Sequence, residues 1–143
     1  RILQTNLTGA WRVAQAAALG MREAGSGSII NIASILGLRV TSGVLPYAVS
    51  KAGVVQMTRA LALEWARFGI RVTALAPGYI ETDINRAFIA TEAGQALIKR
   101  IPQRRLGQLE DLDGPLLLLA SDAGRFMTGT VLEVDGGHMV SGL

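Results

Sequence analysis

Cysteine is absent from the sequence, which excludes disulfides, thiolate nucleophiles and Cys-ligated zinc and leaves the redox compartment open. Histidine occurs once, as His138. One imidazole without thiolates is too small a ligand set for an ordinary catalytic zinc site, so no metal is expected. The position of His138, outside any motif, also denies a serine hydrolase its base; a solvent-facing or hydrogen-bonded side chain is expected there. Long apolar runs are lacking too. The stretch 115–120 falls far short of the roughly 20 residues of a membrane-crossing helix, so no membrane partner is expected. Charge is sparse, at 17%. The balance is basic, 14 Lys and Arg against 11 Asp and Glu, but the cations stand singly or in pairs such as Arg104-Arg105. That is a mildly basic surface and not a nucleic-acid footprint. The opening residues, from Arg1, have neither an initiator Met nor the charged-then-apolar profile of a secretory signal. A cytoplasmic protein cut from a longer chain is the expectation.

What is present reads as one domain's worth of globular chain, 143 residues of which 50% are hydrophobic. Residues 1–23 carry Leu3, Leu7, Ala10, Ala14 and Ala17 at helical steps. Residues 28–33 form a short β-branched run of the kind covered on both faces of a sheet. A Gly- and Ser-containing loop then leads to Pro46, which opens a long helix over 46–68 closed by Gly69. A second strand is predicted over 71–76, broken by Pro77-Gly78. The segment up to Pro102 has no single period and reads as a mobile helical lid. A helix over 110–120 and a strand over 130–134, ended by Asp135-Gly136-Gly137, complete the order. Asp111 and Asp113 are read as charges favoured at that helix's N-terminus. Strands alternating with helices of this length imply an α/β fold with a parallel sheet and helices on both faces.

In such sheets ligands bind beyond the carboxyl ends of the strands. That rule selects Ser34 with the loop behind it, and the segment from Pro77 to Thr82. Tyr47 and Lys51 lie four apart on the following helix and share a face, so a hydroxyl, a phenol and an amine converge. The trio suits carbonyl reduction or alcohol oxidation, which needs a proton donor or acceptor at oxygen while hydride moves at carbon. An ordinary Tyr titrates near about 10, so an adjacent ammonium is needed to favour the phenolate. Ser34 is placed to hydrogen-bond the substrate oxygen.

Jointly, Ser34, Tyr47-Ala48-Val49-Ser50-Lys51 thirteen positions on, and Asn6 in Asn6-Leu7-Thr8-Gly9 resemble the signature of the classical short-chain dehydrogenase/reductase family. The flanking residues 29–34, Lys51-Ala52-Gly53, Ala76-Pro77-Gly78 and Val134-Asp135-Gly136-Gly137 are similar as well. The resemblance implies a Rossmann-like doubly wound sheet, of which residues 1–143 form the C-terminal catalytic portion without the nucleotide-binding half. It implies Tyr47 as general acid/base and, with Lys51, as a contact of the nicotinamide riboside, Lys51 also as the cation that tunes the phenol, Ser34 as substrate anchor and Asn6 as holder of a relay water. Pro77, Gly78, Ile80 and Thr82 are implied to line the nicotinamide of NAD or NADP, Ile80 through its backbone and Thr82 through its hydroxyl. The implied substrate is a small secondary alcohol or ketone, of the kind used by gluconate or glucose dehydrogenases or 3-oxoacyl-carrier-protein reductases, and Arg86, Lys99, Arg104 and Arg105 near the lid permit anionic as well as neutral substrates. Ala48, Ala52, Val55 and Leu63 form a second apolar stripe, which together with the resemblance points to a homodimer or homotetramer. A competing expectation is a non-catalytic piece acting only through its oligomerisation surfaces. Gly25-Ser26-Gly27 precedes a strand and has Ile30 in place of the last glycine, so it is not a phosphate-binding turn.

Overall fold

The computed structural model of the chain describes residues 1–142. Three parallel strands, β1 (Gly27–Ile32), β2 (Ile70–Pro77) and β3 (Val131–Val134), lie in the order β1-β2-β3. Parallel neighbours require crossover connections. The helix α2 (Leu45–Trp65) links β1 to β2, and α5 (Asp113–Ala120) precedes β3. Ahead of the sheet, α1 (Ala10–Ala24) follows a more widely wound π-helical stretch, Gln4–Gly9.

Strand alternation sends successive side chains to opposite faces. On one face Ile29, Asn31, Val72 and Ala74 meet α1 and α2: Ala14, Ala18, Leu61 and Val72 share one buried cluster, and Asn31 donates to Thr58 of α2 at 2.9 Å. On the other face the Ser28 hydroxyl donates to the Leu119 carbonyl of α5 at 3.1 Å, and Leu119 is fully buried. Helices therefore cover both faces, as the alternating pattern requires. Trp11 and Trp65 stack with centroids 6.4 Å apart, tying α1 to the far end of α2.

Several expectations are corrected. β1 has helices on both faces as expected, yet β2 is the more deeply buried strand: Val72, Thr73, Ala74 and Leu75, on alternating faces, are buried, whereas β1 lies at the edge of the three-stranded sheet and Ile32 is 52% exposed. On α1 the inward residues are Ala14 and Ala18, while Ala17 is exposed. Val55 does not belong to an outward stripe; it turns into the core with Ala33 and Val54. The segment after Pro77 holds two short helices, α3 (Arg86–Ile89) and α4 (Glu92–Arg100). It is tied back to the sheet: the Gly107 N–H donates to the Tyr79 carbonyl at 2.9 Å, Glu81 N–H to Gly107 at 2.8 Å, and Gln103 N–H to Gly136 at 3.1 Å. Asp111 does lie in a first helical turn, but its partner is specific. It takes two hydrogen bonds from Arg105, at 2.6 and 3.1 Å, and one from the Gln108 N–H, which hold its carboxyl down at about 2.

Candidate active site

Ser34 leaves the carboxyl end of β1 in extended backbone and is buried. Its Oγ accepts from the Leu36 N–H at 3.1 Å, capping the short turn Ile35–Gly37. A serine hydroxyl has one donor and two acceptor sites. With one lone pair used by the cap, and no acceptor for the proton among the described residues, the O–H is left to point into the adjacent cleft. The turn itself packs against α2. A Cβ at Gly37 would lie 2.7 Å from both the carbonyl carbon and oxygen of Lys51, so only glycine permits this approach.

Tyr47 and Lys51 occupy the first turns of α2, where Pro46 pre-sets the helical φ. Lys51 Nζ lies 5.7 Å from the centroid of the Tyr47 ring and donates to the Ile32 carbonyl at 2.8 Å, using one of its three donors. Burial pushes the Lys51 ammonium below its ordinary value. A partly desolvated cation of this kind favours a neighbouring anion. Asn6 touches neither side chain. It reaches the same helix through Ser50: Asn6 Nδ2 donates to Ser50 Oγ at 3.1 Å, and that hydroxyl donates to the Tyr47 carbonyl at 2.7 Å. Ser50 is fully buried. It went without a role in the sequence reading although it stands inside the Tyr47–Lys51 motif.

Pro77 closes β2 opposite Val134, and Gly78 follows where a Cβ would lie 2.7 Å from that of Asp135. Ile80 and Gly78 border the cleft, whose volume is about 300 Å³ and whose wall also includes Ser34, Tyr47 and Tyr79. Thr82 and Pro77 are not among its lining residues. Asn85, which the sequence did not single out, clamps the loop: its Nδ2 donates to the Ile80 carbonyl at 2.7 Å and its Oδ1 accepts from the Thr82 N–H at 2.9 Å. Only the Ile80 N–H, and not its carbonyl, is thus unpaired among the described residues. Burial, then the nearby Tyr47, push the Tyr79 phenol up, which keeps Tyr79 neutral.

His138 corrects another expectation. It is neither hydrogen-bonded at Nδ1 nor fully exposed: Nδ1 is buried without a partner, and the ring faces Tyr79 at 5.7 Å. Two of the four cations expected near the lid are already engaged, Arg86 with Asp83 and Arg105 with Asp111.

The whole arrangement has relatives. A family profile described as Enoyl-(Acyl carrier protein) reductase matches residues 1–139. A short-chain type dehydrogenase/reductase from Mycobacterium marinum is 41% identical and superimposes with a TM-score of 0.87 over 95% of this chain and 54% of its own. The chain belongs to the short-chain dehydrogenase/reductase family. Another member, gluconate 5-dehydrogenase of Gluconobacter oxydans, is 38% identical over 98% of this chain and 55% of its own. The structure of a gluconate 5-dehydrogenase from Burkholderia cenocepacia, in complex with NADP and tartrate, matches at 42% identity with a TM-score of 0.92, over 96% of this chain and 54% of that one. The chain thus spans about half the length of the family members it matches, and its three strands are part of their Rossmann-type sheet. Among the described residues no helix is long and apolar enough to cross a membrane.

Proposed function

We propose that these residues are the catalytic portion of an NAD(P)-dependent oxidoreductase that interconverts a secondary alcohol and a ketone. The observation that carries the reading is the convergence, at one strand end, of the free Ser34 proton, the Tyr47 phenol and the partly desolvated Lys51 ammonium. Ser34 donates to the substrate oxygen and holds it beside Tyr47. In oxidation the phenolate of Tyr47 takes the hydroxyl proton; in reduction the phenol returns it. Lys51 supports the anionic form by its charge. Asn6, through Ser50, fixes the first turn of α2 and so the direction of the phenol, and a relay water beside Asn6 completes the proton path. Tyr79, neutral, forms a wall.

The residues present fit the nicotinamide end of a dinucleotide. Lys51 keeps two N–H donors for ribose hydroxyls, and the Ile80 N–H and Thr82 hydroxyl are unpaired among the described residues. When bound, the nicotinamide supplies the hydride acceptor or donor at carbon. No glycine-rich turn follows a strand in the manner that binds pyrophosphate, so turnover is assigned to the complete natural protein and not to residues 1–143 alone. A small hydroxy or oxo compound, as in gluconate dehydrogenases or 3-oxoacyl-carrier-protein reductases, and a cytoplasmic homodimer or homotetramer complete the reading.

Tyr47→Phe in the complete protein removes one proton and little volume. Turnover is expected to fall at least about 10²-fold, with circular dichroism and dinucleotide affinity unchanged; near-normal turnover would overturn the mechanism. The exposed Val13, Leu19 and Leu63 favour a second reading, a non-catalytic assembly module. That reading gains if the unmodified protein oxidises no alcohol.

A further inference from the structure

Beside the catalytic cleft lies a larger cavity of about 660 Å³, and the two share Ile35, Leu36 and Tyr79 as walls. A substrate with its reacting carbon at Tyr47 therefore extends naturally into it. The cavity wall carries Arg39, Lys99, Arg100 and Arg104, which come from three separate segments, and no carboxylate among the described residues. None of the four has an ion-pair partner among the described residues. Lys99 and Arg100 have a local account, because they stand in the last turn of α4, where cations complement the helix dipole. Arg104 has none, and Arg39 is only partly engaged.

Arg104 is the only non-glycine residue at positive φ, at 57°, among the described residues. An L side chain in this left-handed region is strained and glycine is not. The turn is imposed from both sides, by the Arg104 N–H donating to Ile101 at 2.8 Å and the Gln103 N–H to Gly136 at 3.1 Å. The backbone would thus be served better by glycine, and the guanidinium is what the strain retains. Arg39 is held in place by one nitrogen only. Its Nη1 donates to the His138 and Met139 carbonyls at 3.1 and 3.3 Å and to Ser141 Oγ at 3.4 Å, leaving the other guanidinium donors for a ligand. The charges also converge: His138, pushed down first by burial, is pushed down further by Arg39 and Arg100, against the opposing Asp135.

We infer that this cavity is an oxyanion subsite, and that the substrate of the Ser34–Tyr47 cleft is a hydroxy or oxo compound whose far end bears a carboxylate or phosphate held by Arg39 and Arg104. The assignment rests on the oxidoreductase reading for the position of the reacting carbon, but its test does not depend on turnover. Titration calorimetry of the complete natural protein compares tartrate, its neutral tetrol counterpart threitol, and inorganic phosphate. Tartrate or phosphate is expected to bind at least about tenfold tighter than threitol. The tighter of the two anions identifies the group as carboxylate or phosphate. Arg39→Gln and Arg104→Gly each weaken that anion about tenfold or more and leave threitol unchanged. Arg104→Gly also raises Tm, by about 2 °C or more, so its loss of binding cannot come from damage to the fold. Tyr47→Phe retains anion binding whether or not the catalytic reading stands. Anions bound no tighter than threitol, or bound equally by both arginine variants, would overturn the subsite.

Discussion

His138 packs its ring on Tyr79 and buries Nδ1 without a partner, so the folded chain disfavours the imidazolium. Its ordinary value is 6.5, and burial with Arg39 and Arg100 lowers it. The sign follows from proton counting: as pH falls through 6.5 the unfolded chain takes up the proton first, so stability is full above that value and is lost below it until the folded pKa is passed. Tm measured from pH 7.5 to 5 is expected to fall, and His138→Gln to flatten the fall. An equal slope in the variant would assign the acid sensitivity elsewhere. The same residue shows where the sequence stops being legible. The proximity of Ser34, Tyr47 and Lys51 is legible because their relation is local: a strand end and two positions one helical turn apart fix where the side chains go. Arg39 meets the carbonyls of His138 and Met139 across the whole fold, and Asn85 folds back on Ile80 within an irregular loop. Neither relation has a period from which it can be read.

At the scale of elements, the strands and long helices were legible to within a few residues because their apolar patterns differ in period. The two short lid helices were not. α3 is four residues long and α4 nine, too short for a period to stand out, and α4 begins at a local cap, Thr91 Oγ accepting from the Gly94 N–H at 3.1 Å. Which strand is central was also hidden, since β1 and β2 are both β-branched runs and only pairing distinguishes them. Besides the exposed bond from Lys51 to the Ile32 carbonyl, β1 meets α2 through one buried polar pair. Asn31 donates to Thr58 Oγ1, and Thr58 donates to the Val54 carbonyl at 2.8 Å, all buried. Thr58→Val keeps the shape and strands the Asn31 amide, at an expected cost of about 1–3 kcal/mol, read as a lower urea midpoint with an unchanged slope. A midpoint equal to that of the parent would mean that Asn31 finds another acceptor.

For the whole molecule, the outward faces of α1 and α2 carry Val13 and Leu19, each 70% exposed, and Leu63, 83% exposed. Exposed apolar patches of this kind are where association is expected, and the proposed homodimer would pair them about a two-fold axis. Leu63→Glu is expected to lower the mass found by light scattering to that of a smaller species without lowering Tm; an unchanged mass would remove α2 from the interface. The sequence had assigned this surface partly to Val55, which points inward, because a helix buried on more than one side offers no single stripe from which to choose. The contact of Gly37 with the Lys51 backbone also bears on how the protein can be altered. It acts as a gauge block, fixing the distance between the Ser34 turn and α2 independently of the seven residues, 38–44, that connect them. Beyond Leu38, which packs on the core, and Arg39, which is tied to His138 and Met139, that loop can be lengthened, shortened or rewritten without respacing Ser34 and Tyr47. It is the place to exchange one substrate preference for another, whereas Gly37→Ala would prise the two halves of the site apart while leaving every reacting group intact.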